Sequence, residues 1–398
     1  MYKRNWVVLF LVSLIFVSCD IFSGNTDDSA ADLRGTVVSS TNKGTFNKAW
    51  VNTFISFNNL PFDATVKTGF NLKKVVYYTQ DAQGNNIEVS GSIFIPDSVF
   101  SYHLVSVQHG TEIKRASVGT ESVYYAIEGI LMATQGYYVV YPDYIGLGIS
   151  ELSHPFILME PSANTVIDMI RAGRNYAEQE GHALDDNLLL MGYSEGGFVT
   201  LSTHREIAIN YADEFSILGS APMAGPYDVK QTASILLSND VYSNPGYLGY
   251  ILNAYNEAYN LYPISDIFAQ QYVATVDTLY NGLYDMGQIN SALTTNLNEL
   301  FNTEFLAAYR NGGKPDLENA FVENSPLDWI CLDNIRFYHG SNDITVFPEN
   351  MVTAVEALKT NGSTHVESFS IEGGTHYTSF FPSINHTITW FDSLRQGF

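Results

Sequence analysis

Two kinds of hydrophobic spacing alternate along most of this chain. Strand signals at residues 74–79, 88–95, 104–108, 137–141, 188–191 and 216–221 are short and rich in Val, Ile, Leu and Tyr, the run at 188–191 being wholly apolar. Runs of this kind suit strands buried on both faces. Between them lie segments with helical spacing at 123–134, 163–180 and 198–211; in the second, Val166, Met169, Ile170 and Ala177 fall on one side. The first two runs flank Asp81-Ala82-Gln83-Gly84-Asn85-Asn86, a turn composition, so they should pair as an antiparallel hairpin. The strand–helix alternation that follows predicts an α/β fold, with a mostly parallel central sheet covered by helices on both faces.

From residue 227 to 333 the alternation stops. Segments such as 247–262 and 290–309 keep helical periodicity, and no strand pattern appears. This stretch holds 13 Asp and Glu against 3 Lys and Arg, and 11 of the 26 tyrosines. It reads as a helical cap insertion over the carboxyl edge of the sheet. The sheet pattern resumes at 335–340, followed by a helix at 349–360, a strand at 366–371 and a closing helix at 384–394. The core is thus expected in two parts, 46–226 and 334–398.

The amino-terminal end has a different pattern. Lys3 and Arg4 precede an apolar run at 6–17, too short to span a bilayer as a helix. It closes on Phe16-Val17-Ser18-Cys19, which resembles the cleavage box of bacterial lipoprotein signal peptides. That resemblance implies a signal peptide over 1–18, a lipid on Cys19 and export to the cell envelope, on its periplasmic or outer-surface face. Residues 19–45 are polar without periodicity and are expected to be a flexible tether; the apolar segment 50–60 should pack on the body. Cys19 and Cys331 are the only cysteines, so no disulfide framework exists to claim Cys19.

Composition narrows the function. Apolar residues make up 45% of the chain, as in a globular protein, and 398 residues admit one large domain or two. A net charge of −23 without a basic stripe repels nucleic acid. Metal-ligand spacings and Gly-rich phosphate loops are missing from the sequence, so no cofactor or metal is expected.

The chemistry concentrates at Gly192-Tyr193-Ser194-Glu195-Gly196-Gly197, where a strand-length run turns into a helical segment. Such a turn exposes the serine hydroxyl, and a side chain at Gly192 or Gly196 would collide with a neighbouring strand or helix. A serine needs a base. Of the nine histidines, His376 follows a strand near the chain's end, in Gly373-Gly374-Thr375-His376. The acid that orients it should lie after the preceding strand, where Asp343 sits; Asp333 precedes that strand and Asp328 is further back. Oxyanion donors are expected from the backbone N–H of Glu195 and from the loop after the third strand, at Thr111 or Gly110. His109 is expected to brace that loop, and Asp143 to brace its own turn.

These motifs, with the Tyr141-Pro142-Asp143-Tyr144-x-Gly146-x-Gly148 loop and Ser325-Pro326-Leu327-Asp328-Trp329, resemble those of secretory lipases and related α/β-hydrolase esterases. The resemblance runs from about residue 70 to the chain's end, the cap matching only in type. It implies carboxylic ester hydrolysis through an acyl-enzyme, with Ser194, Asp343 and His376 as the triad; Glu195 stands where such enzymes often carry glutamine. The partner is then a lipid or small-molecule ester, and Leu248, Tyr250, Leu252 and Tyr255 of the cap are expected near its acyl chain. A prolyl-oligopeptidase-type peptidase shares the fold and triad, but roughly 50 residues before the first strand are too few for the propeller such enzymes carry. A binding protein on a hydrolase scaffold is the third reading, against which an ordered Ser, Asp and His stand.

Overall fold

In the computed structural model, which describes residues 33–97 and 102–396, the apolar runs form the middle of a nine-stranded sheet. The expected signal peptide and Cys19 lie outside the described residues. β1 (Val37–Phe46), β2 (Phe70–Gln80) and β3 (Asn86–Pro96) form an antiparallel meander, and β3 pairs antiparallel with β5 (Tyr138–Pro142). From β5 onward the neighbours are parallel: β4 (Tyr102–Gln108), β6 (Leu184–Tyr193), β7 (Ser216–Met223), β8 (Ile335–Gly340) and β9 (Val366–Ile371).

Alternate side chains of each central strand enter different cores. Leu188 and Leu190 join one cluster with α3 (Met159–Glu180) and α4 (Glu195–Asn210). Leu189 and Met191 join another with α2 (Ile127–Ala133) and α14 (Phe380–Gln396). Both faces being covered, no polar position interrupts the run. Burying each such Leu or Met contributes about 2 kcal/mol. α1 (Lys48–Phe57) buries Val51 and Phe54 in the second cluster, as expected of the segment at 50–60.

Three expectations need correction. Residues 37–45 are not a tether but most of β1, an edge strand whose Ser, Thr and Asn side chains are largely exposed and so carry no apolar period. The lead-in to β1 is clamped by Arg34, which donates to Asp168 at 3.0 Å, to Tyr211 at 2.8 Å and to Asn164 at 2.8 Å. The helix expected at 123–134 begins as a Ser122-capped 3₁₀ turn, Val123–Tyr125, before α2. The third lies in the segment between β7 and β8.

That segment contains α5 (Val229–Ser238), α6 (Pro245–Tyr259), α7 (Ile264–Ile267), α8 (Gln270–Leu279), α9 (Met286–Ala292), α10 (Leu297–Leu300), α11 (Thr303–Arg310) and α12 (Pro315–Glu323). The helical stretch expected over 290–309 is broken into three. Asn296 and Asn302 turn their side chains onto the N–H groups of Asn298 and of Glu304 and Phe305, starting a new helix each time. α13 (Glu349–Asn361) then packs beside β8 and β9.

The strand order matters for the site. β4 lies between β5 and β6, and its last residue, Gln108, pairs with Gly192. The loop 109–111 therefore leaves the sheet beside the turn that carries Ser194.

Candidate active site

Ser194 joins β6 to α4 with φ 59° and ψ −122°, a strained conformation for a residue with a side chain. Neighbouring backbones hold it there. A Cβ on Gly192 would stand 2.3 Å from the carbonyl oxygen of Gly196, and one on Gly196 only 2.0 Å from that of Gln108. Gly197 is equally confined, 2.3 Å from the Met223 carbonyl oxygen. The Ser194 N–H donates to that same oxygen at 2.9 Å.

The structure brings the three expected side chains together. His376 Nε2 lies 2.9 Å from Ser194 Oγ, and its Nδ1 lies 2.6 Å from Asp343 Oδ2. His376 stands in the loop between β9 and α14, and its carbonyl accepts from Tyr193 Oη at 2.7 Å, which ties that loop to the end of β6. Asp343 follows β8; its Oδ1 accepts from the N–H groups of Thr345 at 2.9 Å and Val346 at 3.0 Å. Burial alone would raise its pKa. The hydrogen bonds from His339, His376 and the Val346 N–H outweigh that and hold the carboxyl well below the usual carboxylate range.

The competing acids are elsewhere. Asp328 is exposed and paired with Arg205, while Asp333 reaches His204 at 3.3 Å from the opposite end of β8. His109 braces its loop, stacking on Tyr144 at 4.1 Å between centroids, and Tyr144 Oη donates to the His109 carbonyl at 3.0 Å. Asp143 accepts from Ser90 Oγ at 2.6 Å and from Thr120 Oγ1. Both are bracing residues, as their positions in the sequence suggest.

Two cavities meet at Ser194. One, of about 580 Å³, is almost wholly apolar and is lined by Phe156, Leu236, Tyr247, Leu248 and Ile251 together with Thr111. The other, of about 750 Å³, is a more polar cleft lined by Gly110, Thr111, Glu128, His376 and Tyr377. Glu195 begins α4, so its N–H is at the positive end of that helix beside Ser194. Of the four residues expected near an acyl chain, Leu248 lines the apolar cavity. Tyr250 instead stacks on Phe156, Leu252 is core, and Tyr255 donates to the Ile157 carbonyl at 2.8 Å. On α6 it is Tyr247 and Ile251 that join Leu248 at the cavity.

Several residues at the site have no sequence motif. His339 is buried on β8, with Nε2 2.9 Å from the Val346 carbonyl and 3.3 Å from Asp343 Oδ2. His154 meets the Glu195 side chain at 2.7 Å. Glu112 follows the 109–111 loop; burial first, then the carboxyls of Glu128, Glu195 and Asp285, push its pKa up to about 8. Glu128 is raised by burial, although Tyr141 Oη donates to it at 3.0 Å. No run of residues signals these contacts: His154 and Glu195 lie 41 residues apart, and His339 meets Asp343 and Val346 only through the conformation of the loop that follows β8. Among the described residues no group of His, Cys, Asp and Glu has the arrangement of a metal site.

The sequence matches the secretory lipase family over residues 107–396. No curated protein matches it. Among solved structures, the rice cell wall degrading esterase LipA from Xanthomonas oryzae is 25% identical, with 92% of this chain and 98% of that chain covered and a TM-score of 0.81. A protein from Legionella pneumophila (23% identity, 91% and 98% covered, TM-score 0.83) and Candida antarctica lipase A in its closed state (17%, 92% and 83%, TM-score 0.69) share the fold. The chain belongs to the secretory lipase family and is a carboxylic ester hydrolase of the α/β-hydrolase fold.

Proposed function

We propose that this enzyme cleaves neutral esters through an acyl-enzyme on Ser194. The observation that carries the reading is the unbroken chain from Ser194 Oγ through His376 to Asp343, at 2.9 and 2.6 Å, where two cavities meet. His376 Nε2 takes the serine proton as Oγ attacks the carbonyl carbon, and the ionised Asp343 stabilises the imidazolium. The N–H groups of Glu195 and of Thr111 or Gly110 receive the developing oxyanion, each typically worth about 3–4 kcal/mol. Collapse expels the alcohol, protonated by His376, and water then releases the acid by the same steps.

The apolar cavity takes the acyl chain and the polar cleft the alcohol. The aliphatic and aromatic lining of the apolar cavity suits an acyl chain, which we take to be short to medium. The acidic helices over residues 227–333, acting as the cap, disfavour substrates bearing carboxylates or phosphates. The family match supports export, and we further propose attachment to the cell envelope through a lipid on Cys19.

A series of p-nitrophenyl esters of increasing chain length, run beside a Gly-Pro chromogenic peptide, tests the function. Turnover should peak at short to medium chains, with little or no peptide cleavage. Faster cleavage of the peptide than of every ester would replace this reading with a peptidase.

A further inference from the structure

Glu195 and His154 meet one residue from Ser194, yet neither side chain belongs to the Ser194–His376–Asp343 chain. His154 Nδ1 is 2.8 Å from the Ile145 carbonyl, which can only accept, so Nδ1 carries a hydrogen. Nε2 lies 2.7 Å from Glu195 Oε1. A neutral imidazole protonated on Nδ1 offers only a lone pair at Nε2, and a carboxylate offers only lone pairs as well. Two such acceptors do not stand at that distance without a proton between them. The pair therefore holds one shared proton, on Nε2 or on Oε1, and in either form its total charge is zero.

Among the described residues, no other cationic side chain pairs with Glu195. Its Oε2 is buried and without a partner among the described residues. The titratable groups facing the pair are His109, Glu112 and Tyr144 from the loops at the sheet's edge, and Tyr247 and Tyr250 from α6. Burial lowers the pKa of His109 and raises those of the three tyrosines, so all four are neutral near pH 7. Glu112 adds a further carboxyl, not a cation. A bare, buried Glu195 carboxylate would thus act at short range on whatever charge develops at its own N–H.

We propose that His154 is a positioning residue for hydrolysis at Ser194. Its shared proton cancels the Glu195 charge beside the oxyanion, and its bridge from Ile145 to Glu195 fixes the first N–H of α4. This rests on Ser194 being the nucleophile.

The test compares wild type, H154Q and the double variant H154Q/E195Q, with H154A and H154A/E195Q in parallel because His154 is packed among Tyr144, Phe156 and Tyr250. H154Q keeps a donor toward Glu195 but has no proton to share. Far-UV circular dichroism selects the folded variants. The readouts are the rate of Ser194 labelling by a fluorophosphonate, which needs no known substrate, and kcat and KM on a p-nitrophenyl ester. The single variants should label and turn over about 10- to 100-fold more slowly at nearly unchanged KM, less than the loss of an entire oxyanion donor. Adding E195Q should recover at least about tenfold, because an amide needs no counter-charge; such coupling is read directly from the double-variant cycle. A single variant that matches wild type, or a double variant no faster than the single, would overturn the role. Wild-type protein that resists labelling would instead overturn Ser194 as nucleophile, and the inference with it.

Discussion

On one side of Ser194, Asp343 meets His376 at 2.6 Å; on the other, Glu195 meets His154 at 2.7 Å. Both carboxyls are buried, yet their surroundings differ. Asp343 faces two backbone N–H groups and two histidine rings, so both its oxygens have donors. Among the described residues the Glu195 side chain has one partner, and its Oε2 has none. The first site is built to keep a carboxylate ionised, and the second tolerates its carboxyl only with a proton shared. Burial by itself does not decide charge state; the supply of donors does.

The largest expected effect removes the group that both pairs flank. S194A should lose roughly 10⁶ in kcat, as much as losing the whole triad, while keeping the wild-type circular dichroism spectrum. Near-normal turnover of a p-nitrophenyl ester would end the assignment.

Next, D343N keeps the shape of the well-supplied side but not its charge. The amide can hold the His376 ring only in the wrong tautomer, so kcat should fall by roughly 10⁴. D328N and D333N, at the exposed and the opposite-end acids, should stay near wild type. The reverse ranking would move the acid elsewhere.

The smallest effect is on stability, and it sharpens the contrast through pH. The depressed Asp343 carboxyl contributes stability that is present above its unfolded value of about 4 and lost as pH falls through its lower folded value. Glu112 is the opposite case. Its folded pKa of about 8 exceeds the unfolded value of about 4.3, so the folded state binds the extra proton and stability declines as pH rises between them. E112Q removes that decline. Thermal unfolding should show E112Q gaining on wild type at pH 8 and matching it near pH 4; an equal shift at both would mean the carboxyl is not titrating there.

The sheet and Ser194 were readable because their constraints are local. Leu188 to Met191 are apolar at every position since both faces are covered, and Gly192 and Gly196 are fixed by backbones a few ångströms away. His376 and Asp343 followed from chain order alone. β1 was missed because an edge strand need bury nothing, and its Ser-Ser-Thr-Asn sequence looks like tether. The broken helices near Asn296 and Asn302 were missed because a side-chain cap leaves the hydrophobic period on either side intact. Glu195–His154 joins residues 41 apart in sequence, and nothing near His154 marks it. Its partner in the helix is recognisable only once the chain is folded.

The Arg34 clamp has a mechanical consequence. A pull on the chain ahead of β1 reaches the Arg34 guanidinium before the β1–β2 ladder, because Arg34 precedes the strand. The load divides among Asp168, Asn164 and Tyr211, carried by α3 and the end of α4, and Asn175 of α3 also holds the Gly35 carbonyl at 3.1 Å. An exposed edge strand stretched from its end would otherwise unzip one residue at a time. With this cleat in place, several charge-assisted bonds must rupture together before peeling begins, so tension on the amino-terminal side is borne first by the helical layer.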